Sequence, residues 1–124
     1  MTTHNEFNTY TVTAADDLSA QSSRFKVISF GGTIAPGPSR AAGILQTSCR
    51  SGEQATYAYD GICKAVAGGT VTTLGFPLTV ANSGFLIASV VSGVAHGRAL
   101  EAAASGDLFQ VMIGFASPFQ FTGV

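Results

Sequence analysis

The chain has 124 residues, six of them basic and seven acidic, for a net charge of −1 at pH 7. That length suits one domain, able to bury roughly two-thirds of its unfolded surface. Charged residues are only 10% of the chain and form no basic cluster, which excludes an electrostatic footprint for nucleic acid.

Residues 1–9 read as an N-terminal arm, because residues 1–8 are polar apart from Met1 and Phe7 and carry no core pattern. Strand signals begin at Tyr10-Thr11-Val12-Thr13, which alternate and are rich in β-formers. Asp16-Asp17 precede Leu18 in an expected turn or short cap, not a paired-carboxylate site. Phe25 and Val27 alternate with Lys26 and Ile28, and Ser29-Phe30-Gly31-Gly32 supplies a hairpin turn. Ala55, Tyr57 and Tyr59 share one face of a later strand, and Ile62-Cys63-Lys64-Ala65-Val66 bridges to the second half. There Thr70-Val71-Thr72-Thr73 and Pro77-Leu78-Thr79-Val80 read as short strands around a turn at Gly75, and Ala81-Asn82-Ser83-Gly84 repeats the hairpin signal. Arg98 and residues 99–104 have local helix propensity. Their counterpart, residues 44–49, does not, so strand followed by loop is expected. Phe109, Val111 and Ile113 again share a face, and the tail, residues 115–124, carries Phe115, Phe119 and Phe121.

The second half echoes the first. Ser51-Gly52-Glu53 returns as Ser105-Gly106-Asp107, each opening an alternating run that closes on glycine, Gly61 or Gly114. At a constant offset Leu18 meets Val71, Phe25 meets Leu78, Val27 meets Val80 and Gly31 meets Gly84. A one-residue slip then carries Gly43 onto Gly97, and the closing glycines slip back. Residues 18–61 and 71–114 therefore read as two diverged copies of one unit. Each copy, at about 45 residues, would be marginal alone, so the pair is expected to share a core. The expected architecture is an all-β, small barrel or sandwich: one domain with a core over 10–114, the arm before it and the tail after it. Closure would remove strand edges that so few charges could not protect. In each Ser-Gly-acid turn the glycine takes positive φ and the acid satisfies exposed N–H groups.

Little in the chain points to catalysis. Nucleophile-elbow, P-loop, HExxH and CxxC patterns are missing, and the doublets Gly31-Gly32 and Gly68-Gly69 read as turns. His4 and His96 lie far apart in sequence, so no metal site and no cofactor are expected. Cys49 and Cys63 read as small, reduced, partly buried side chains. No apolar run approaches the roughly 18 residues of a membrane span, and no basic-then-apolar leader opens the chain.

Several pieces, taken in order, carry a resemblance. They are Ala14-Ala-Asp-Asp-Leu-Ser19, Ala42-Gly-Ile-Leu-Gln46, Gly61-Ile-Cys-Lys-Ala-Val-Ala-Gly-Gly-Thr-Val71, Pro77-Leu-Thr-Val80 and Ala99-Leu-Glu-Ala-Ala-Ala-Ser-Gly-Asp107. Over about residues 10–113 the chain resembles the capsid decoration, or head cement, proteins of tailed bacteriophages. It departs from them at Gln21-Ser22-Ser23, where relatives tend to place glycine, and in its Phe-rich ending. The resemblance implies a non-enzymatic virion protein on the outer surface of the capsid. Its partners would be the major capsid protein and its own copies, as a homotrimer at threefold or quasi-threefold sites, where it stabilises the expanded shell. The residues expected to make capsid or inter-subunit contacts are His4, Asn5, Phe7, Tyr10, Phe115, Phe119 and Phe121. The three tail phenylalanines could instead cover the open end of their own barrel. Two other readings stay open: a tail-tube or head–tail adaptor component, and a small-ligand-binding barrel or accessory subunit with a cavity lined by Tyr57, Tyr59 and Phe109.

Overall fold

A computed structural model describes residues 7–19, 24–35, 40–88, 93–115 and 119–121. Among them the protein is all-β, with no α-helix; a 3-10 turn spans Asn82–Gly84. The strands are β1 (Phe7–Thr13), β2 (Val27–Ser29), β3 (Ala41–Leu45), β4 (Gln54–Val66), β5 (Pro77–Val80), β6 (Leu86–Ala88), β7 (Gly93–Ala95), β8 (Gly97–Ala99), β9 (Leu108–Gly114) and β10 (Phe119–Phe121). Arg98 lies within β8 and loop follows Ala99, so tertiary pairing overrides the local helix propensity there. Residues 7–9, expected in the arm, are already strand, and Thr70-Val71-Thr72-Thr73 contributes only a bridge from Val71 to Ala103.

The main sheet runs β2-β3-β4-β9-β8-β5-β6 with β1 added on β4, and β10 pairs with β7 in a separate ribbon. Every strand pair is antiparallel. The thirteen-residue β4 is the spine: its first part pairs with β1 and β3, and its second part with β9. The two ends of the strand order nearly meet. A Cβ built on Gly84, in the β5–β6 turn, would lie 2.7 Å from the Val27 carbonyl oxygen of β2. Leu86 also bridges Ala67 just beyond β4.

The duplication is visible in the backbone hydrogen bonds. Leu18 pairs with Cys49 as Val71 pairs with Ala103. The Ser-Gly-acid turns superpose donor for donor. Gly52 N–H donates to the Ala14 carbonyl and Gly106 N–H to that of Ala67, both at 2.8 Å, with φ of 89° and 90° at the two glycines. Glu53 and Asp107 each accept from the backbone three residues earlier, Arg50 N–H at 2.6 Å and Ala104 N–H at 3.2 Å. Ile44–Ala58 matches Arg98–Met112, and Leu45–Tyr57 matches Ala99–Val111.

Two features of the sequence alignment change. First, the unit is longer: β1 against β4 repeats β4 against β9, Tyr10–Tyr57 corresponding to Cys63–Val111. The copies therefore begin at β1 and within β4, not at residues 18 and 71. Second, Phe25 corresponds to Gly75 rather than Leu78, and Val27 to Pro77 rather than Val80. Phe25 N–H donates to the Leu45 carbonyl as Gly75 N–H donates to that of Ala99, at 2.9 and 2.7 Å. The connection from Val71 to Gly75 is shorter than that from Leu18 to Phe25, and β5 is longer than β2, so a constant offset matches apolar letters but not ladder partners.

Burial follows the pleat. One cluster gathers Leu78, Phe109, Val111 and Cys63 of the second half with Val27, Ile44 and Ala58 of the first. Another, entirely of the first half, contains Leu18, Ile28, Leu45, Cys49, Ala55 and Tyr57. Val27 and Ile28, adjacent in β2, enter different clusters, so this part of the sheet is buried on both faces. No helix of the described residues is long and apolar enough to cross a membrane.

Candidate docking surface

Tyr10 of β1 and Tyr57 of β4 are directly opposed in the ladder, and their rings meet edge to face with centroids 6.2 Å apart at 73°. Two residues on, the register of β1 against β4 shifts: Thr9 faces Ala58 but Asn8 faces Asp60, leaving Tyr59 as the extra residue of a β-bulge. Bulges re-aim side chains, and Tyr59 joins Tyr10 and Tyr57 in lining one depression. Phe30 enters from the β2 turn, Ala42 from β3, and Phe115 from just beyond β9; together the six line a cup of about 310 Å³.

Local bonds hold each wall. Ser29 N–H donates to the Thr33 carbonyl at 2.7 Å and the Ser29 and Thr33 hydroxyls bond at 2.8 Å, fixing the turn that presents Phe30. Phe115 N–H donates to the Tyr59 carbonyl at 2.8 Å, locking floor to bulge. Tyr10 and Phe30 are 66% and 67% exposed, whereas Tyr57 and Phe115 are buried. The rim is therefore open aromatic surface and the base is core.

Behind Phe115 lies His96, stacked on it with centroids 5.0 Å apart and only 4% exposed. Its Nδ1 has no hydrogen-bond partner among the described residues. Burial holds its pKa below the usual histidine value of 6.5, so the imidazole is neutral near pH 7. Burial, then the neighbouring Tyr10 and Tyr59, raises the Tyr57 phenol, so the cup carries no charge of its own. Its chemistry is that of an aromatic socket for an apolar side chain.

Of the expected contact residues, the structure brings Tyr10 and Phe115 together in this cup. Phe7 stands apart, half-buried against the larger core cluster opposite Gly61. His4 and Asn5, and the side chains of Phe119 and Phe121, lie outside the described residues; the backbone of β10 pairs Phe119 with Ala95 and Phe121 with Gly93. Phe115 is 7% exposed, a core residue that shows one edge to the cup. Sequence reading missed Phe30, a turn residue, and used Tyr57 and Tyr59 only for an enclosed cavity shared with Phe109. Phe109 is instead packed in the core, and the two tyrosines line the open cup, Tyr57 at its buried base.

Asp17 is engaged in a local turn. The Asp17 carboxylate accepts from Ser19 N–H at 3.0 Å and from its hydroxyl, which lowers its pKa. Cys49 and Cys63 are free and buried, one in each cluster. No group of three or more His, Cys, Asp or Glu able to hold a metal ion occurs among the described residues.

No protein-family model and no curated protein matches the chain. Among solved structures, the fold is similar to that of the N base of the head fibre gp8.5 of bacteriophage phi29, with a TM-score of 0.65 at 15% identity. The likeness covers 89% of this chain and 96% of that one, so the two share a fold over nearly their whole lengths.

Proposed function

We propose that this chain is a structural virion protein that binds the outer surface of an icosahedral phage head and stabilises the expanded capsid. The observation that carries this reading is the end-to-end fold likeness to a head-fibre base, a phage head component by its name. The aromatic cup supplies a means of attachment: Tyr10 and Phe30 form the rim, and an apolar side chain of a shell subunit enters between them. Burying such aromatics is the commonest source of hot-spot energy at protein interfaces. In this reading the partners are the major capsid protein and other copies of the chain at threefold positions. No reaction is catalysed. Stabilisation is mass action, because a ligand of the assembled shell alone adds its binding free energy at every site.

Two measurements test this. One is the copy number relative to the major shell protein in purified particles, where near parity supports shell coating and complete absence overturns the virion role. The other is the rupture temperature of undecorated heads with and without added protein; no change sinks the stabilising role. The likeness to a fibre base also favours a second reading, in which the chain is the shell-attached foot of a longer projection. Projections seen on particles by electron microscopy, lost with this chain, would select it.

A further inference from the structure

A second depression, of about 390 Å³, shares no residue with the aromatic cup. Its walls are Arg24, Phe25, Lys26, Val66, Phe85 and Leu108, with no acidic side chain lining it among the described residues. Two cations lie on its aromatic surfaces: the Arg24 guanidinium 4.9 Å from the Phe25 ring centroid and the Lys26 ammonium 4.8 Å from that of Phe85. Arg24 is also tethered, its Nε–H donating to the Gln46 carbonyl at 3.2 Å. Leu108 stands 50% exposed at the edge.

The backbone at this cleft is strained. Phe25 has φ of 68°, a left-handed conformation rarely held by a bulky residue, while its internal counterpart Gly75 has φ of 79° at no steric cost. The Phe25 backbone is held on both sides, its N–H by Leu45 and its carbonyl by Val66 N–H at 3.2 Å. A ring is thus kept in the cleft at a position where the same fold elsewhere uses glycine. Such retained strain marks ligand-clamping sites.

We propose that this cleft binds an extended acidic peptide segment of a partner protein. Carboxylates of the segment meet Arg24 and Lys26, and an intervening apolar side chain lies on Phe25, Phe85 and Leu108. Charge complementarity selects the acid, because both cations rest on rings with no acidic neighbour in the lining. The apolar floor selects a peptide over a phosphate polymer, whose affinity requires many cations rather than two. The assignment goes beyond head attachment and holds whether or not the cup binds a shell.

The test is a random seven-residue peptide library panned against the folded protein and against the Arg24→Gln/Lys26→Gln double variant. Arg24 is exposed and Lys26 half-buried, and an unchanged melting curve verifies the variant's fold. The expected pool is enriched in Asp and Glu around an apolar residue. The best peptide, resynthesised with a fluorophore, should bind roughly tenfold more weakly to the double variant and lose affinity in about 0.5 M salt. Phe30→Ser, in the other depression, should leave its affinity unchanged. A pool without acidic enrichment, acidic peptides that bind the double variant equally well, or equal competition by oligothymidylate would each overturn the assignment.

Discussion

Alanine at Gly43 or Gly97 is expected to destabilise the protein by about 3 kcal/mol or more, the upper end of overpacking costs, because backbone is in the way. A Cβ at Gly43 strikes the Ala58 carbonyl oxygen and lies 2.6 Å from Tyr57 Cδ2 and 3.0 Å from the Ala58 carbonyl carbon. At Gly97 it strikes the Met112 carbonyl oxygen and lies 3.2 Å from both Cα and Cγ2 of Ile113. Ala58 and Met112 are counterparts in the two halves, so one close strand approach has been kept twice. No rotamer change relieves a contact with a carbonyl in a ladder. Two other glycines calibrate the measurement. Gly106 has φ of 90° and open space around it, so Gly106→Ala pays only the left-handed penalty of about 1–2 kcal/mol. Gly69 has neither a positive φ nor an atom within 4 Å, so Gly69→Ala should be neutral or stabilising by up to about 1 kcal/mol.

Urea denaturation at constant m reads these differences as shifts in midpoint. In a melt each kcal/mol corresponds to roughly 3–5 °C for a chain of this size. The required order of loss is Gly43→Ala and Gly97→Ala greatest, Gly106→Ala next and Gly69→Ala least. A Gly97→Ala protein within about 0.5 kcal/mol of the parent, the usual range for surface changes, would refute the β8–β9 register and the duplicated close approach.

His96 gives a pH signature. Its folded pKa lies below the unfolded value, so above about pH 6.5 it is neutral in both states and stability is full. As pH falls below that, the unfolded chain takes up a proton the native one refuses, and stability drops by at most about 1.4 kcal/mol per pH unit. His96→Gln should flatten the profile between roughly pH 6.5 and 5; an unchanged slope there refutes the assignment. Burial pushes the Cys63 thiol up to about 12 and also raises Cys49, so a thiol reagent at neutral pH should modify neither in the native protein and both after denaturation. Fast native labelling would contradict the packing of either cluster. Tyr10→Ser with Phe30→Ser should leave the melting temperature within a few degrees, roughly what surface changes cost, yet abolish sedimentation with heads; retained sedimentation moves the attachment site elsewhere.

Strands, hairpin turns and the all-β class were legible because they depend on alternation and on glycine, both of which are written locally. The Ser-Gly-acid turns were the clearest case, since the same three residue types impose the same φ and the same carboxylate bond wherever they stand. Register was harder. Apolar letters match apolar letters at several slips, whereas a ladder accepts one, so Phe25 aligned with Leu78 in sequence and with Gly75 in space. The slip at Gly43–Gly97 and its reversal at Gly61–Gly114 were visible as letters, but their causes are facts of pairing with no local signature: the connection from β5 to β8 is longer than that from β2 to β3, and the bulge adds Tyr59 to the first copy alone. The cup was only partly legible for a related reason. Tyr10 and Phe115 stood out as aromatics near the ends of the core, while Phe30 gains its place from a turn brought beside β4 by the topology.

The two halves share their scaffold and differ at both candidate sites, which therefore lie where the duplication has lost its symmetry. Turn glycines, the close approach at Gly43 and Gly97, and the Leu18–Cys49 type of bridge recur because the backbone geometry requires them. The cup does not recur: Tyr10 is replaced by Cys63, Tyr57 by Val111 and Ala42 by His96, and Tyr59 has no counterpart. The cleft does not recur either, since Gly75 stands where Phe25 is strained. The outer pair Ile44–Ala58 is buried against the second half, while its counterpart Arg98–Met112 faces solvent, so the two copies cannot be interchangeable even in their environments. Once one half supplies the interior packing of the other, its equivalent positions are released from the core and free to acquire surface chemistry. The departures from symmetry, not the repeat itself, are therefore where substitutions should separate binding from stability.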